Sequence, residues 1–447
     1  MRLTAAEMTE RKLHRRAVEA ALWGMPLVSF DALRQAYFHD ASVAYNDIIY
    51  WSKPASWKNQ VTTPNTSAHY VMFFLNVKDG PVVVDIPAAT DAALFGSLID
   101  AWGSALVDVG QTGDDQGRGG RYLVLPPDTQ AQPTTGFVPV RSATYNVHAL
   151  LRVIPKSRSS QDIASALELV KRLQIHPLST ARPARAPKLV DMADKPFDAL
   201  PRFDASFYRS LARMVSEEPT KLQDLAMMAQ LHSLGIGDGT PYRPSALVTE
   251  IMQRAIAEAH EYMVEGFRTD GVRWWPNRRW QFLIADDIIK SKATFRLGAR
   301  ILVDERAFMF FGAFGPTKNP SPHLYVKTFE DSSGQPLEGS HTYRLQVPPN
   351  VPTTQFWSVS AYDNRTAGPI REAAVVGVDS YTPEVKRNAD GSVDLYIAPL
   401  PPKGQEANWI SSASGKPFFL MFRNYGPDRS VFTRTSSWVL GDVERVK

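Results

Sequence analysis

The stretch Thr62-Thr63-Pro64-Asn65-Thr66-Ser67-Ala68-His69-Tyr70 organises the N-terminal half of the chain. It predicts a turn, because proline and asparagine favour turn conformations. The turn leads directly into the apolar run 71–77, which predicts a buried strand. A turn that opens into a buried strand places its side chains at the rim of a sheet, where binding sites are commonly built. We expect Asn65 either to cap its own turn or to face a ligand.

Strand signals continue after this turn. Residues 82–86 predict a short strand, and residues 95–109 predict either one long strand or two shorter ones. Residues 144–154 alternate with a period of two. Their apolar face carries Tyr145, Val147, Ala149, Leu151 and Val153. Their other face carries Asn146, His148, Leu150 and Arg152. The second face is polar enough to line a cleft or to meet water.

Helical signals lie at the N-terminus and in the middle of the chain. A capping box of Thr4 and Glu7 predicts a helix that ends near Gly24 and Pro26. A second helix is predicted over 27–38. After residue 155 the apolar spacing becomes helical, and residues 248–267 predict a long amphipathic helix.

Strand patterns return from His323 onward, so the chain runs from strands to helices and back to strands. This order predicts a mixed, mainly β protein with two jelly-roll-like β units and a helical insert between them. The predicted units are an N-terminal β unit with leading helices at 1–155, an insert with connecting loops at 156–322, and a C-terminal β unit at 323–447.

The composition bounds the function classes. A chain of 447 residues is too long for one ordinary core. Its 50 Lys and Arg against 46 Asp and Glu give a net charge of +4 without a block of like charges, so no nucleic-acid partner is expected. The absence of cysteine excludes disulfides and thiolate chemistry.

Targeting signals are weak. No run approaches the roughly 18 apolar residues that a membrane span needs, so no transmembrane segment is expected. The charged N-terminus has no apolar region typical of a signal peptide. The localisation is therefore left open: cytoplasmic as the sequence stands, or periplasmic if a leader has been trimmed.

Several short motifs resemble two families of uncharacterised domains, DUF1254 and DUF1214, which occur in tandem in many bacterial proteins. The DUF1254-like motifs are Trp23-Gly24-Met25-Pro26-Leu27, Thr63-Pro64-Asn65 and Gly80-Pro81-Val82-Val83. The DUF1214-like motifs are Phe356-Trp357-Ser358, Tyr362-Asp363, Asp390-Gly391-Ser392, Asn408-Trp409 and Arg423-Asn424-Tyr425. The resemblance spans most of the chain. It implies a double jelly-roll-like architecture and homo-oligomers such as trimers, but no established reaction.

The chain departs from the family pattern next to the Pro-Asn turn. Members usually carry an aspartate two residues after the asparagine, and this chain has Ser67 there. The Thr-Leu-Tyr that usually follows is Ala68-His69-Tyr70, and an Arg-rich T-T-G element resembles only Gln111-Thr112-Gly113. If the family's acidic residue were catalytic, this divergent member would have lost or rerouted that chemistry.

Carboxylates beside aromatic rings indicate a carbohydrate site, because glycosidases use paired carboxyl groups and sugars stack on rings. Asp100 shares a predicted strand face with Trp102, and Asp363 follows Tyr362. The alternative interpretation is that both aspartates cap turns or strand ends.

A metal site would use His69 and His148, with Asp100 as a third ligand. The alternative is that both histidines are hydrogen-bonded within the fold. The cofactor is unknown, with a divalent metal possible and no nucleotide motif. The glycine-rich stretch Gly235-Ile236-Gly237-Asp238-Gly239 lacks a preceding strand and a following Lys-Thr or Lys-Ser, so it predicts a loop.

Arginines near strands indicate anion recognition. Arg152, Arg371 and Arg423 would recognise a carboxylate or phosphate if they converged, and would otherwise form structural ion pairs. The aromatic and basic run from Arg273 to Trp280 is expected to pack its tryptophans on the core and leave its arginines in water.

The leading functional hypothesis is an enzyme-like binder of a small polar or carbohydrate-type ligand, with hydrolase or lyase chemistry at the rim of the N-terminal β unit. The catalytic candidates are Asp100, His69 and His148. The ligand-binding candidates are Asn65, Tyr70, Trp102, Asn146, Arg152, Trp357, Tyr362, Asp363 and Arg371. One alternative is a non-catalytic, envelope-associated oligomer, and a second is a metal-dependent oxidoreductase.

Overall fold

The structure is a computed structural model that describes residues 3–446 except 128, 130–134, 158, 179–185, 238, 320–322 and 383. Within these residues the helices are α1 Ala5–His39, α2 Ser160–Lys171, α3 Ser206–Glu217, α4 Leu225–His232, α5 Ala246–Thr269, α6 Asp286–Lys290, α7 Val303–Gly312 and α8 Arg429–Phe432. No helix in this part of the chain is both long and apolar enough to span a membrane.

The strands fall into two groups. The first is β1 Ile48–Tyr50, β2 Asn59–Gln60, β3 His69–Asn76, β4 Val82–Ile86, β5 Ala92–Asp100, β6 Ala105–Gly110, β7 Gly120–Leu125, β8 Val138–Arg141, β9 Asn146–Pro155, β10 Gln174–Pro177, β11 Leu189–Asp191 and β12 Phe197–Asp198. The second is β13 Gln281–Phe282, β14 Arg296–Leu297, β15 Arg300–Ile301, β16 His323–Thr328, β17 Thr342–Val347, β18 Thr353–Asp363, β19 Gly377–Asp379, β20 Val393–Ala398, β21 Trp409–Ser411, β22 Phe418–Pro427 and β23 Glu444–Val446. The mixed fold with a helical segment between β units agrees with the prediction.

Each β unit is a pair of stacked sheets. In the N-terminal unit a six-stranded sheet, ordered β11-β1-β3-β9-β5-β6, faces a four-stranded sheet, β10-β4-β7-β8. Val71, Phe73 and Leu75 on β3 and the predicted apolar face of β9 fill the space between them. In the C-terminal unit a five-stranded sheet, β13-β16-β22-β18-β19, faces a four-stranded sheet, β21-β20-β17-β23.

Sheet pairings cross both predicted domain boundaries. Strands β10 and β11 follow residue 155 but pair with β4 and β1 of the N-terminal unit. Strand β13 precedes residue 323 but pairs with β16 of the C-terminal unit. Helices α1 and α3 to α7 lie between the two units, where their side chains join Tyr70 and Met72 on one sheet to Phe419 and Met421 on the other in one apolar cluster. Helix α2 packs on the core of the N-terminal sandwich, and α8 packs on that of the C-terminal one.

The predicted break at Gly24 and Pro26 is wrong, because α1 continues through both residues. A proline inside a helix costs about 3 kcal/mol. Every residue from 20 to 31 is buried, and the methyl groups of Leu211 fit against Gly24. A helix buried on all sides gains more from packing than it loses at one proline. The capping box at Thr4 is present as predicted.

The run from Arg273 to Trp280 packs as expected. Trp274 and Trp280 lie in the core of the C-terminal sandwich. Arg278 and Arg279 form ion pairs with Asp442 and Glu330 at the edge of that unit. In the glycine-rich stretch, Asp238 lies outside the described residues, and the glycines Gly235, Gly237 and Gly239 have positive φ angles as loop glycines do.

Candidate functional site

A cavity lies where the two β units and helix α1 meet, with an empty volume of about 720 Å³. The N-terminal sheet contributes Tyr70 and Arg152, and the C-terminal sheet contributes Tyr325 and Arg423. The Pro-Asn turn forms one wall, and Ser29 on α1 forms part of another. We call this space the arginine cavity.

The Pro-Asn turn is held against the C-terminal sheet by its backbone. The carbonyl of Thr63 accepts a hydrogen bond from Nη2 of Arg423 at 2.8 Å, and the carbonyl of Pro64 accepts one from the Tyr362 hydroxyl. Thr63 has a φ angle of 41°, which is unusual for a β-branched residue. Such strained conformations persist where the surrounding contacts enforce them, often at functional sites.

Asn65 fixes the turn from within. Its Oδ1 accepts from the N–H of Ser67 at 2.9 Å, and its Nδ2 donates to the Tyr425 hydroxyl at 2.6 Å. Its own N–H donates to the hydroxyl of Tyr70 at 2.9 Å. Asn65 therefore caps its turn and positions two phenols.

Ser67, at the position where the family usually has an aspartate, is also hydrogen-bonded to the C-terminal unit. The Ser67 hydroxyl donates to a carboxylate oxygen of Asp379 on β19. An acidic group is therefore present beside this position, but it belongs to the other β unit.

Both cavity arginines carry charges that the protein does not neutralise. Arg423 is 1% exposed. None of the described residues that line the cavity is acidic. Nε of Arg152 and both Nε and Nη1 of Arg423 are buried without a hydrogen-bond partner. Burying an unpaired charge is costly, so this arrangement favours a negatively charged occupant.

Tyrosine rings surround the two guanidinium groups. The guanidinium carbon of Arg152 lies 5.3 Å from the ring centre of Tyr70, and that of Arg423 lies 5.4 Å from the ring centres of Tyr325 and Tyr362. These distances are within the range of cation–π attraction. The rings therefore stabilise the cations without adding negative charge.

The phenols are uncharged at neutral pH. Burial raises the pKa of Tyr325, Tyr362 and Tyr425 above the usual value of 10. The hydroxyls of Tyr325 and Tyr425 lie 2.5 Å apart and share a hydrogen bond. Burial alone would lower the pKa of Arg152 and Arg423, but the electrostatic interactions with the surrounding tyrosines, led by Tyr70 for Arg152 and by Tyr362 for Arg423, raise both above the ordinary value. Both arginines thus stay protonated beside neutral hydroxyl donors.

Of the predicted ligand-binding residues, Asn65, Tyr70 and Arg152 line the arginine cavity. Tyr362 lies one layer behind it, bonded to Pro64. Of the three arginines for which anion recognition and structural ion pairing were both open, Arg152 and Arg423 line the arginine cavity together. Arg371 forms a surface ion pair with Asp198 at 2.9 Å, as the alternative interpretation had it.

The metal site that His69 and His148 would form by converging does not fit the register of their strands. His148 pairs with Phe74 across β3 and β9, five residues from His69, which is about 17 Å along a strand. His148 is fully buried, and burial lowers its pKa to about 3. Its ring stacks on Phe74 with the centres 4.4 Å apart. No group of three or more potential metal ligands occurs among the described residues.

Asp100 and Trp102 occupy a turn remote from the arginine cavity. Oδ1 of Asp100 accepts from the N–H groups of Trp102 at 3.0 Å and Ser104 at 2.8 Å, so it caps the turn after β5. Burial raises the pKa of Asp100. Trp102 packs edge-on against Trp23 and is 6% exposed, so its ring faces the core. The turn-capping interpretation therefore describes Asp100.

The remaining predicted residues also lie elsewhere. Asn146 is bound to Glu218 at 2.7 Å, and Trp357 is buried within the C-terminal sandwich. Asp363 caps the turn after β18 through the N–H of Arg365. Their polar or aromatic character serves the fold, because each has a partner within the protein.

Sequence reasoning missed Tyr325, Tyr425 and Thr63 as site residues. A signal for Tyr425 was available, because the motif Arg423-Asn424-Tyr425 places the first and third side chains on one face of a strand. Nothing local marks Tyr325 or the strained backbone of Thr63.

Two family models, each described as a protein of unknown function, match the chain: DUF1254 over residues 45–177 and DUF1214 over residues 322–429. The structure of the VPA0106 protein from Vibrio parahaemolyticus aligns with a TM-score of 0.56 and 18% identity, covering 97% of this chain and 100% of its own. An uncharacterised protein from Burkholderia cenocepacia aligns over 98% of this chain and 95% of its own, with 14% identity and a TM-score of 0.44. No curated protein matches. At 18% identity the first likeness extends to the fold alone.

Proposed function

The chain belongs to the proteins that carry a DUF1254 and a DUF1214 domain in tandem, and from this premise we propose that it binds a small anionic molecule in the arginine cavity. The ligand carries a carboxylate or a phosphate, the groups that guanidinium recognises best. The sequence analysis expected a small polar ligand, and the present proposal restricts that class to anions.

The observation that carries the proposal is the pair of arginines without a counter-ion. Neighbouring phenols are neutral, and the lining holds no acidic side chain among the described residues. Arg152 retains some exposure towards the cavity, whereas the unpaired nitrogens of Arg423 are covered. A bound anion would therefore contact Arg152 directly, and it would be attracted electrostatically by Arg423 without contacting it.

Isothermal titration calorimetry with acetate, succinate and inorganic phosphate tests the proposal. We expect at least one of these anions to bind the wild-type protein. R152M should weaken that binding at least about 30-fold, since loss of one partner of a buried charge pair costs about 2–5 kcal/mol. R423M should weaken anion binding less, because Arg423 attracts the anion from a longer distance.

The matched control is R371M, which replaces an exposed and ion-paired arginine by the same residue. It should bind every anion as the wild type does. If none of the three anions binds, or if R152M binds as tightly as R371M, the arginine cavity is not an anion site.

Lyase or hydrolase chemistry is a second candidate, and the phenol pair favours it. Tyr325 and Tyr425 share a short hydrogen bond beside two guanidinium groups. A phenol so placed could donate a proton to a leaving group. Turnover lost in Y325F with anion binding retained would support this role, and turnover unchanged in Y325F would contradict it.

The other functional hypotheses stay predictions. They include carbohydrate binding, assembly into homo-oligomers, a non-catalytic envelope role and metal-dependent oxidation. The acid–base candidates Asp100, His69 and His148 stay predictions too; His69 would have to act apart from His148, because five residue positions separate them along the paired strands β3 and β9.

A further inference from the structure

A second cavity lies beside the arginine cavity, with an empty volume of about 1280 Å³. Its walls are largely apolar and include Trp274, Phe282, Ile284, Ile289, Met309 and Phe432. Ile289 is 47% exposed and Phe432 is 39% exposed, so the cavity opens to solvent on this side. Large apolar side chains that stay exposed around a concave space are typical of a ligand-binding site.

The two cavities share a wall. Three segments contribute to both of them, with one residue facing the arginine cavity and another facing the second cavity: Leu283 and Ile284, Phe314 and Pro316, and Tyr325 and His323. On β16 the two ring-bearing residues are two positions apart, or about 7 Å. The rings of Tyr325 and His323 are nearly parallel, with an interplanar angle of 13°.

Charge at the second cavity also suits an acid. Lys292, Lys318 and Arg434 line it, against one acidic lining residue, Asp286. Arg434 lies over the ring of Trp274, with its guanidinium carbon 4.7 Å from the ring centre. Cations around an apolar entrance raise the local concentration of anionic ligands.

We propose that the ligand is an amphipathic carboxylic acid whose carboxylate occupies the arginine cavity and whose alkyl chain occupies the second cavity. The proposal rests on the proposed function for its head group. The new part of the proposal is the alkyl chain. It follows from the apolar walls of the second cavity and from the position of this cavity next to the arginine cavity.

A series of straight-chain acids tests this proposal by calorimetry: acetate, butyrate, hexanoate, octanoate and decanoate. Once the chain is long enough to reach the second cavity, each added methylene should tighten binding about fourfold, which corresponds to about 0.8 kcal/mol per buried CH₂. If acetate binds and decanoate binds no tighter, the arginine cavity is an anion site but the second cavity holds no chain, and this inference is wrong.

Two variants separate the two compartments. I289D places a charge in the apolar wall and should abolish the dependence of affinity on chain length, with acetate still bound in the arginine cavity. L400D is the matched control, because Leu400 is 76% exposed and lines neither cavity. It should keep both properties, and I289D behaving like L400D would overturn the inference.

R152M tests the link between the compartments. Decanoate should lose at least about 30-fold in affinity in this variant, as acetate does. If decanoate binds R152M as tightly as the wild type, its carboxylate sits among the cations of the second cavity, and the two cavities do not form one site.

Discussion

The two ends of the polar face of β9 differ in whether their polar and charged side chains have partners within the protein. At one end Asn146 is bound to the carboxylate of Glu218, and nearby Arg34 pairs with Asp31 at 2.8 Å and with Glu217 at 2.5 Å. At the other end, six residues and about 20 Å away, Arg152 faces a cavity without an acidic side chain in the described lining.

The difference separates structural polar residues from ligand-binding ones. A buried polar group that serves the fold has its partners within the chain, as buried polar groups in proteins usually do. A buried charge without such a partner indicates that the partner comes from outside. Burial and polarity alone, which both ends share, do not discriminate.

The largest effect is expected where the charges are already paired. R34M should lower the free energy of unfolding by about 3–5 kcal/mol, because it leaves the buried carboxylate of Asp31 short of one cation. Urea denaturation monitored by circular dichroism measures this change. The matched variant R152M removes a charge that has no acidic partner and should lower the free energy of unfolding of the ligand-free protein by only about 1 kcal/mol, the size of its cation–π contact with Tyr70. A loss of similar size in both variants would erase the distinction between the two ends.

The next effect is stabilisation by the ligand. At an anion concentration 100 times its dissociation constant, the wild-type protein should gain about 2.7 kcal/mol in the free energy of unfolding. R152M binds at least about 30-fold more weakly, so at the same concentration it should gain no more than about 0.9 kcal/mol. Urea titrations with and without acetate provide the measurement, and sodium chloride at equal ionic strength controls for general salt effects. Equal gains in both proteins would place the bound anion elsewhere.

His148, between the two ends, is expected to make stability depend on pH. Its pKa in the folded protein is about 3, below the ordinary 6.5, because burial disfavours the charged ring. The unfolded chain therefore takes up the proton first. This contribution to stability is complete above pH 6.5 and is lost as the pH falls towards 3, at about 1.4 kcal/mol per pH unit.

H148Q removes this titration, so its free energy of unfolding should fall less steeply than that of the wild type between pH 6.5 and 4.5. H39Q, at an exposed position in the last turn of α1, is the matched control. Parallel pH profiles for H148Q and the wild type would contradict the burial of a neutral ring.

The smallest effect is expected at the exposed arginine. R371M should change the free energy of unfolding by less than about 0.5 kcal/mol, because surface ion pairs contribute little. The same denaturation assay applies. A loss above 2 kcal/mol would mean that exposure is a poor guide to the role of arginines in this protein.

The sequence predicted the elements of the site better than their assembly. Alternation along 144–154 placed Arg152 on a polar face, and the Pro-Asn turn was expected at the rim of a sheet. Both depend on local patterns of period two and on turn chemistry. Asn65 and Tyr425, by contrast, are 360 residues apart in the chain. No local pattern encodes a contact at that separation.

The errors have related causes. Pro26 ends a helix by propensity, but packing on all sides of α1 overrides propensity. The possibility that His69 and His148 meet rested on their lying on strands of one sheet, but the register that separates them depends on pairing, which alternation does not specify.

Bromide in place of the unknown anion tests the central claim most directly. Crystals grown in sodium bromide and measured at the bromine absorption edge would locate bound halide by anomalous scattering. We predict a peak inside the arginine cavity within hydrogen-bonding distance of the Arg152 guanidinium, and its loss in R152M. Bromide bound only at surface cations, with none in the cavity, would contradict the claim that the arginine cavity is an anion-binding site.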